Sequence, residues 1–389
     1  MEKRFVPLSI PNFEGNESKY VNEALSQGWV STGGAYIVKL EESMAAFLEA
    51  EDVAACQSGT AAIHLSLVDA GIGPGDVVLV PPLTFIAAVN PVKYQFATPV
   101  FIDCDDSLCM DPDKLERFCK EQCQYDGNVL KYKNQPVKAL VVVHVFGNLA
   151  DMEKIMSVAG KYNITVIEDA TEALGSRYSE GIYKGKYAGT IGDYGTYSFN
   201  GNKIITTGGG GAVTAKNPAR VKHIRYLSTQ AKDDEHYYVH NEVGYNYRMT
   251  NLQAALGVGQ MELLPEFIDR KRNNYNRYKE LLSGLKCARL LDFRPNTFSN
   301  MWFYSLLIDS DKVTKSLREI ITQLGEVGVQ TRAIWDLINK QIPYKDEETF
   351  ELEKAFYYAD RVLNIPCSTS LKEEDIVYVA NSIKEVLER

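Results

Sequence analysis

The sequence lacks the patterns that mark metal sites, disulfide-stapled domains and nucleic-acid-binding surfaces. Only 5 of its 389 residues are histidine, and none of its 7 cysteines stands in a CxxC pair. Neither a zinc site nor a disulfide framework is therefore indicated. Acidic residues outnumber basic ones by 51 to 42, so no basic surplus argues for binding to nucleic acid or to anionic lipid.

Long apolar runs are missing as well. Residues 1–13 contain no apolar segment typical of a signal peptide, and no stretch approaches the ~20 apolar residues of a membrane span. The hydrophobic share of 45% and the charged share of 24% are ordinary for a globular protein. These observations predict a cytoplasmic chain with reduced thiols.

Short apolar runs rich in β-branched residues alternate with longer amphipathic stretches in the first half of the chain. The runs are apolar throughout, which is typical of strands buried on both faces of a sheet. Strands that alternate with helices predict a mainly parallel sheet covered by helices, and hence an α/β domain. The runs lie at residues 53–56, 77–80, 99–103, 139–145 and 164–169.

The pattern changes in the second half of the chain. A helix is expected to begin at Asn251 and to be interrupted at Pro265, and a second amphipathic helix follows it. Further on, WFYSLLI (302–308) predicts a strand, and the C-terminal segment predicts a final helix. We therefore expect a large α/β domain over residues 1–264 and a smaller α+β domain over residues 265–389.

The first candidate for chemistry is the turn Ser58-Gly59-Thr60, which links a predicted strand directly to a predicted helix. Unpaired backbone N–H groups at a helix N-terminus suit a phosphate, and a glycine lets the backbone approach an anion closely. The hydroxyl groups of Ser58 and Thr60 could add donors. Taken alone, the motif fits an ordinary capped turn better.

A second candidate is Asp169, which is expected at the carboxyl end of a buried strand. Ligands bind at that edge in open α/β sheets. A carboxylate there needs a cationic or hydrogen-bonding partner, and a protonated pyridine nitrogen would serve. Glu172 follows closely, within reach of the same ligand. An alternative fits the spacing equally well, in which Asp169 caps a helix and Glu172 lies in its first turn.

The third candidate is Lys203, which lies between a predicted strand at 194–199 and four consecutive glycines at 208–211. A solvated surface lysine would be the simplest interpretation. Four glycines argue against it, because they remove side chains where something must approach closely. A lysine in suitable surroundings forms an imine with a carbonyl or a cofactor aldehyde. Ser198 precedes it and could donate a hydrogen bond to a phosphate.

Along the chain these features follow the order phosphate turn, aromatic residue, strand-end aspartate, serine and lysine. The aromatic residue is Phe85, which follows a predicted strand and could stack on a planar cofactor. A lysine imine with an aspartate that faces a pyridinium nitrogen is the arrangement that holds pyridoxal phosphate. The sequence therefore predicts a site for this cofactor.

The chain resembles the DegT/StrS-type nucleotide-sugar aminotransferases, a family of fold-type I pyridoxal-phosphate enzymes, over essentially its whole length. The resemblance implies a mainly parallel seven-stranded sheet in the large domain and a smaller C-terminal α+β domain. It rests on the stretches GWVSTGGAYIVKLEE, QSGTAAIHL, PPLTFIAAVNPV, EDATEALGS, SFNGNKIITTGGGG, GYNYRMTNLQAALG and LNIPCSTSL, which occur in this order.

The resemblance implies a role for each matching residue around the cofactor ring. Lys203 would be the catalytic residue that binds the cofactor aldehyde covalently. Asp169 would pair with the ring nitrogen, and Glu172 would lie next to the phenolic oxygen. Phe85 would stack on the ring.

Other matching residues would bind the cofactor phosphate. Gly59 and Thr60 would offer backbone donors, and Ser198 would add its hydroxyl. Asn246 resembles a residue that reaches the phosphate from a neighbouring subunit. The resemblance therefore implies a homodimer with shared active sites.

Two positions depart from the usual family pattern. Many members have GEGG after the lysine where this chain has four glycines, and the family usually has Gln or His in place of Glu172. Both features look closest to the subgroup that aminates UDP-4-keto-6-deoxy-N-acetylglucosamine, with glutamate as donor, in bacillosamine and legionaminic acid pathways. One alternative is another nucleotide-linked keto sugar, of the GDP-perosamine or dTDP-amino sugar type. Another, in a different class, is a regulatory protein that keeps the fold without catalysis.

A last group of residues resembles family segments around the substrate. The cations in this group would meet either the carboxylate of glutamate or the diphosphate of the nucleotide sugar through charge-assisted hydrogen bonds. No metal ion is expected to take part. The group comprises Trp29, Ser31, Gly33, Lys232, Arg248 and Arg332.

Overall fold

The computed structural model describes residues 4–234 and 236–388. The α-helices are α1 Glu17–Ser26, α2 Ala35–Leu48, α3 Gly59–Asp69, α4 Asn90–Tyr94, α5 Pro112–Arg117, α6 Met152–Tyr162, α7 Pro218–Ser228, α8 Asn251–Leu282, α9 Leu317–Glu326, α10 Lys354–Ala359 and α11 Glu373–Glu388. Single turns of 3₁₀- or π-helix lie at Ile86–Ala88, Phe118–Gln122, Val145–Gly147, Ile338–Lys340 and Ile342–Tyr344.

The β-strands are β1 Ala54–Cys56, β2 Val77–Val80, β3 Thr98–Ile102, β4 Gln124–Tyr125, β5 Leu130–Tyr132, β6 Gln135–Val143, β7 Thr165–Asp169, β8 Arg177–Tyr178, β9 Tyr194–Ser198, β10 Gly211–Ala215, β11 Lys232–Asp234, β12 Val239–His240, β13 Ala288–Leu290, β14 Thr297–Phe298, β15 Tyr304–Ile308, β16 Arg332–Ala333, β17 Thr349–Phe350 and β18 Val362–Ile365. Each apolar run predicted as a strand contributes one of them. All four residues of β2 are buried, as the unbroken apolar pattern indicates.

A mixed sheet, ten-stranded within the described residues, forms the centre of the fold. Its strands lie in the order β1-β10-β9-β7-β6-β2-β3-β17, and the β4–β5 hairpin extends it next to β6. From β9 to β17 every neighbouring pair is parallel, whereas β10 is antiparallel to both β1 and β9. The predicted α/β class with a mainly parallel sheet is therefore confirmed. Seven strands on this path come from the N-terminal part, and β17 joins them from the C-terminal part.

The carboxyl ends of the parallel strands meet at one edge of the sheet. The register pairs Asp169, at the end of β7, with Thr196 of β9. Because β1 and β9 are both antiparallel to β10, β1 ends at the same edge, where Cys56 pairs with Gly211 and Gly211 pairs with Ser198. This topology brings together the segments that follow β1, β2, β6, β7 and β9.

The expected interruption at Pro265 is wrong, because α8 is one helix of 32 residues that runs through this proline. A capping box starts it: Thr250 Oγ1 accepts the Gln253 N–H at 3.3 Å, and Gln253 Oε1 accepts the Thr250 N–H at 3.1 Å. A proline inside a helix costs about 3 kcal/mol. Burial of the side chains of Leu264 and Phe267, on either side of the proline, outweighs that cost. The helix therefore crosses the predicted boundary at residue 264.

The C-terminal part contains a four-stranded antiparallel sheet in the order β13-β15-β18-β16. The expected strand over 302–308 is present but begins at Tyr304, so Trp302 precedes it. The expected final helix is α11, which packs against α8 and α9. Nowhere in the described ranges is a helix both long and apolar enough to cross a membrane.

Candidate active site

The turn after β1 leaves the N-terminus of α3 open. Ser58 caps the helix, because its Oγ accepts the Ala61 N–H at 3.1 Å. For the backbone N–H groups of Gly59 and Thr60, no acceptor is recorded within the described residues, which is normal for the first turn of a helix. The capped-turn interpretation and the phosphate interpretation are therefore compatible. Ser58 caps the helix, and two donors at its positive end remain for an anion.

Gly59 lies at a position where a side chain would not fit. A Cβ there would lie 2.8 Å from the Ser198 Cβ and 3.0 Å from the Thr171 Cγ2. The close approach places the start of α3 against the end of β9 and against the residues that follow β7. Ser198 Oγ accepts the Asn200 N–H at 3.4 Å, so its own hydrogen is free to donate. The structure therefore brings Gly59, Thr60 and Ser198 together.

Two of the four glycines at 208–211, Gly210 and Gly211, serve close packing of the protein itself. A Cβ on Gly210 would lie 2.2 Å from Thr207 Oγ1, and Gly210 has a φ of 152°, which side chains disfavour. A Cβ on Gly211 would lie 2.5 Å from the carbonyl carbon of Ser58. The glycines let the loop after the lysine close against the phosphate turn.

Asp169 ends β7 in a buried position with few partners. Its Oδ1 accepts the Thr171 N–H at 3.0 Å, and no ion pair to it is recorded in the described part of the chain. Burial raises the pKa of Asp169, although the Thr171 hydrogen bonds and the charge of Lys203 act in the opposite direction. A cation next to this carboxyl would stabilise its ionised form, and a protonated ring nitrogen is such a cation.

Lys203 and Glu172 face each other. Lys203 Nζ lies 3.5 Å from Glu172 Oε1, and both side chains are largely buried. Glu172 Oε2 accepts the Phe146 N–H at 2.8 Å. Burial raises the pKa of Glu172 to about 7, although Lys203 and the Phe146 N–H act in the opposite direction. The protonated form of Glu172 can donate a hydrogen bond to a phenolic oxygen, whereas the ionised form cannot.

The Phe146 N–H is presented by a costly backbone conformation. Phe146 has a φ of 58°, in the left-handed region that bulky residues avoid. This turn follows β6 directly and directs the N–H toward Glu172. Backbone strain of this kind is concentrated at functional sites. The sequence did not indicate this contact, because the donor is a backbone group and its side chain carries no signal.

Trp302 is a further contact that the sequence did not indicate. Its ring centroid lies 4.1 Å from Lys203 Nζ, and the residue is 2% exposed. The sequence pattern predicts a strand over 302–308 that would begin with Trp302. Trp302 lies instead in the connection before β15, next to the lysine.

The structure also shows where Phe85 and Asn246 lie. Phe85 follows β2 at the same sheet edge and is 56% exposed, so its ring has a free face. Asn246 is exposed on a segment that runs along the end of β1, where the Gln57 N–H donates to the Tyr247 carbonyl at 2.8 Å. Its role toward a neighbouring subunit stays a prediction.

The N-terminal segment with the expected substrate residues is anchored on the start of α8. The Asn251 side-chain amide donates to the Trp29 carbonyl at 2.7 Å, and the Asn251 N–H donates to the Ser31 carbonyl at 2.6 Å. A Cβ on Gly33 would come within 3.4 Å of the Trp29 ring. The Trp29 side chain itself is 60% exposed and available for contacts.

The three expected substrate cations differ in availability. Arg248 forms a largely buried ion pair with Glu41 and donates to the Ala55 carbonyl at 3.1 Å. Most of its donors are engaged, so the expectation that Arg248 serves as a free cation needs correction. Lys232 and Arg332 are exposed, and no ion pair of either is recorded within residues 4–234 and 236–388.

These groups fit pyridoxal phosphate. The two open amides and the free hydroxyl suit its phosphate, and the underpaired Asp169 suits its ring nitrogen. The steric demand at Gly59 shows that the phosphate turn is built against β9, close to the lysine that would bind the aldehyde. The chain therefore offers a partner to each polar group of the cofactor.

Comparison with known proteins agrees with this fit. A model of the DegT/DnrJ/EryC1/StrS aminotransferase family matches residues 11–384. EpsN of Bacillus subtilis (strain 168), named as a pyridoxal phosphate-dependent aminotransferase, is 34% identical over 95% of this chain and 92% of its own. GDP-perosamine synthase of Escherichia coli O157:H7 is 35% identical over 98% of both chains.

Solved structures share the fold. DesV of S. venezuelae superposes with a TM-score of 0.84 at 26% identity, over 96% of this chain and 95% of its own. The family model and the two relatives cover nearly the whole chain, including every segment of the site. The chain belongs to the DegT/DnrJ/EryC1/StrS aminotransferase family, and it is an aminotransferase with pyridoxal phosphate as its cofactor.

Proposed function

We propose that this enzyme transfers an amino group from glutamate to the C4 ketone of a nucleotide-linked 4-keto-6-deoxy sugar. The observation that carries the proposal is the pairing of Lys203 with Glu172 at the sheet edge where the phosphate turn and Asp169 meet. When bound, pyridoxal phosphate supplies an aldehyde and an electron-withdrawing ring that stabilises negative charge on the adjacent carbon.

Four residues act on the cofactor and the reacting carbon in this proposal. Lys203 binds the aldehyde through its amine and later moves a proton at the carbon that carries the transferred amino group. Asp169 keeps the ring nitrogen protonated. Glu172 holds the phenolic oxygen, and Phe85 covers one face of the ring with its exposed side.

The phosphate and the assembly belong to the same proposal. The N–H groups of Gly59 and Thr60 and the hydroxyl of Ser198 bind the phosphate at the start of α3. Asn246 completes this site from the partner in a homodimer, and its exposure on the surface of one chain supports that role. A two-fold dimer would then contain two equivalent active sites.

The identity of the sugar is the finer part of the proposal. The expected UDP-4-keto-6-deoxy-N-acetylglucosamine of the bacillosamine and legionaminic acid pathways has less support than a GDP-linked sugar. The reason is that GDP-perosamine synthases of E. coli O157:H7 and of Caulobacter vibrioides are each 35% identical to this chain. We therefore propose a GDP-linked 4-keto-6-deoxy sugar first, and the UDP-linked sugar second.

Substrate binding is proposed for the anchored N-terminal segment and for two exposed cations elsewhere in the chain. Trp29, Ser31 and Gly33 offer an aromatic face and backbone groups. Lys232 and Arg332, which form no recorded ion pair among the described residues, offer cations for the diphosphate or for the carboxylate of glutamate. Arg248 is not included, because Glu41 holds it.

A substrate panel tests the proposal. The purified enzyme is supplied with glutamate and with GDP-, UDP- or dTDP-linked 4-keto-6-deoxy sugars, and the products are identified by mass. We expect a visible absorbance band of the lysine-bound cofactor, its loss on addition of glutamate, and amination of the GDP-linked sugar at the highest rate. The Lys203→Ala variant is the matched control and should show neither the band nor turnover. Preference for free small keto acids over every nucleotide sugar would contradict the proposal.

A further inference from the structure

Asn300 is fully buried in the connection before β15, and both polar atoms of its side-chain amide have partners. Its Nδ2 donates to the carbonyls of Glu172 and Leu174, each at 3.0 Å, and its Oδ1 accepts the Trp302 N–H at 3.1 Å. Donor and acceptor would clash with these partners if the amide were turned over, so its orientation is fixed. The amide therefore holds the turn that begins at Glu172 against a segment from the C-terminal part of the chain.

The same segment also holds the turn that contains Phe146 and Gly147. The Gly147 carbonyl accepts hydrogen bonds from the hydroxyls of Ser176 and Ser299, at 2.9 and 2.8 Å. The Asn300 N–H donates to Ser176 Oγ at 2.9 Å. Gly147 has a φ of 87°, and a Cβ there would lie 1.9 Å from Asn300 Oδ1, so glycine is needed to admit the amide.

One segment thus fixes both partners of the hydrogen bond that orients the Glu172 carboxyl. Glu172 Oε2 accepts the Phe146 N–H at 2.8 Å, while Oε1 lies 3.5 Å from Lys203 Nζ. Phe146 has a φ of 58°, which a bulky residue keeps only where the surrounding structure enforces it. Because the segment joins the two turns, it determines where the Glu172 carboxyl lies relative to the lysine.

We propose that Asn300 is a positioning residue, whose side-chain amide holds Glu172 where its carboxyl meets the phenolic oxygen of the cofactor. The inference rests on the proposed function in that it takes Glu172 as the partner of that oxygen. Asn300 acts through Glu172 and not by contact with the cofactor. Loss of the amide would leave Glu172 in the chain but would let its turn shift, so the cofactor would be bound less tightly.

A double-mutant cycle on cofactor affinity tests the proposal. Pyridoxal phosphate is titrated into the full-length, cofactor-free protein, and the visible absorbance band of the lysine-bound cofactor gives the dissociation constant. We expect Asn300→Ala to raise this constant about three- to tenfold, because one well-placed hydrogen bond to the ring is lost. In a Glu172→Ala background the same change should alter it by less than about twofold, since position 172 then has no carboxyl to hold.

The matched control is Asn364→Ala, which removes another buried asparagine of the C-terminal part. Asn364 Oδ1 accepts the Ser305 hydroxyl at 2.8 Å inside the four-stranded sheet. Urea denaturation measures the stability of each variant. We expect both variants to be less stable than wild type, but only Asn300→Ala to bind the cofactor more weakly. An equal rise of the dissociation constant in both would overturn the proposal, because it would show a general effect of loosened packing.

A milder variant keeps the test decisive if Asn300→Ala does not fold. Ser176→Ala removes the hydroxyl that joins the Asn300 N–H to the Gly147 carbonyl, while the Ser299 hydroxyl keeps its own contact. It should raise the dissociation constant about two- to threefold when Glu172 is present, and not in the Glu172→Ala background.

An unchanged constant in Asn300→Ala would overturn the proposal, and so would equal effects of either variant in the two backgrounds. Both results concern the role of Asn300 alone. The proposed function fails instead if the wild-type protein forms no cofactor band with pyridoxal phosphate.

Discussion

Glu168 and Asp169 are neighbours at the end of β7, yet their carboxyl groups lie in contrasting surroundings. Glu168 Oε1 accepts the N–H groups of Ile191 and Gly192 at 2.7 and 2.5 Å. Its Oε2 accepts from the Gly189 N–H and from His144 Nε2, each at 2.9 Å. Asp169, by contrast, has recorded donors on only one of the described residues, the N–H and the side chain of Thr171.

The difference teaches how to separate a structural carboxyl from a functional one on the same strand. The acceptors of Glu168 are filled by the protein, so its charge is stabilised without a ligand and it fixes the loop at 189–192. The carboxyl of Asp169 is buried but largely unfilled, and burial raises its pKa. The Asp169 carboxyl can therefore still accept a hydrogen bond from a cationic ligand.

The largest expected effect is on turnover in Asp169→Asn. The substitution keeps the shape but removes the charge that would hold the ring nitrogen protonated, so we expect turnover to fall by about a hundredfold to a thousandfold. The thermal unfolding midpoint should change little. Steady-state rates and a melting curve measure the two effects. Near-normal turnover would show that Asp169 is only a cap, the alternative that its spacing allowed.

The complementary change is Glu168→Gln, which should act on stability. The amide cannot accept on both sides, so at least one buried N–H loses its acceptor, at a cost of roughly 2–4 kcal/mol. Urea denaturation measures this loss. We expect the remaining folded enzyme to keep its affinity for pyridoxal phosphate. A variant with wild-type stability and impaired turnover would reverse the distinction between the two neighbours.

The Glu172 carboxyl has more partners than that of Asp169 and fewer than that of Glu168, since it accepts the Phe146 N–H and lies near Lys203. It should make stability depend on pH. Burial raises the pKa of Glu172 to about 7 in the folded protein, whereas the ordinary value of 4.5 applies to the unfolded chain. Between pH 4.5 and pH 7 the folded protein therefore keeps a proton that the unfolded chain has released. Stability of the cofactor-free protein is therefore highest below pH 4.5 as far as this group is concerned, and falls as the pH rises to about 7, by roughly 3 kcal/mol at most.

Denaturation of wild type and Glu172→Gln at several pH values tests this effect. The variant has no carboxyl to titrate, so its stability should fall less between pH 4.5 and 7 than that of wild type. Asp169 titrates in both proteins, and because its charge contributes to the raised pKa of Glu172, the difference reports Glu172 together with this interaction. Parallel curves would show that Glu172 has an ordinary pKa in the folded protein.

The smallest expected effect concerns Asp69, a carboxyl near the surface whose oxygens already accept hydrogen bonds from the protein. It accepts from the Tyr194 hydroxyl at 2.5 Å and from Arg220 at 3.0 Å, and it pairs with His223, which also meets Glu242. Partial burial opposes the charged form of His223, but the hydrogen bonds to the two carboxyls raise its pKa.

This contribution to stability is full below the ordinary His pKa of about 6.5 and is lost as the pH rises through the raised value. Because His223 is partly exposed, we expect no more than about 0.5 kcal/mol, weaker at high salt. Denaturation of wild type and His223→Asn at pH 6 and pH 8.5 measures it. A larger effect at high pH would contradict the sign.

Several of the site residues that the sequence predicted share one physical property: they lie at or just after the end of a predicted strand. Asp169, Ser198 and Phe85 could be placed at one edge because buried parallel strands are recognisable as apolar runs and end together. Lys203 was found through its glycine-rich neighbourhood. The fold class followed from the same alternation of strands and helices.

What the sequence could not show depends on contacts between distant segments. Glu168 finds its donors in a loop, the Phe146 donor is a backbone group, and Trp302 meets the lysine across the predicted domain boundary. Arg248 could not be recognised as paired, because Glu41 lies far away in the chain. The helix through Pro265 is explained by tertiary burial, which local propensity does not contain.

The uninterrupted α8 has a mechanical consequence. Its first residue, Asn251, holds the segment that carries Trp29, and its buried Lys271 holds the carbonyl of Trp302. The helix is about 48 Å long and joins the two contacts through a continuous backbone, in which Pro265 has no N–H to donate. We therefore expect the N-terminal segment and the Trp302 connection to move together. On this expectation, a bulky sugar would enter mainly through displacement of side chains and exposed loops.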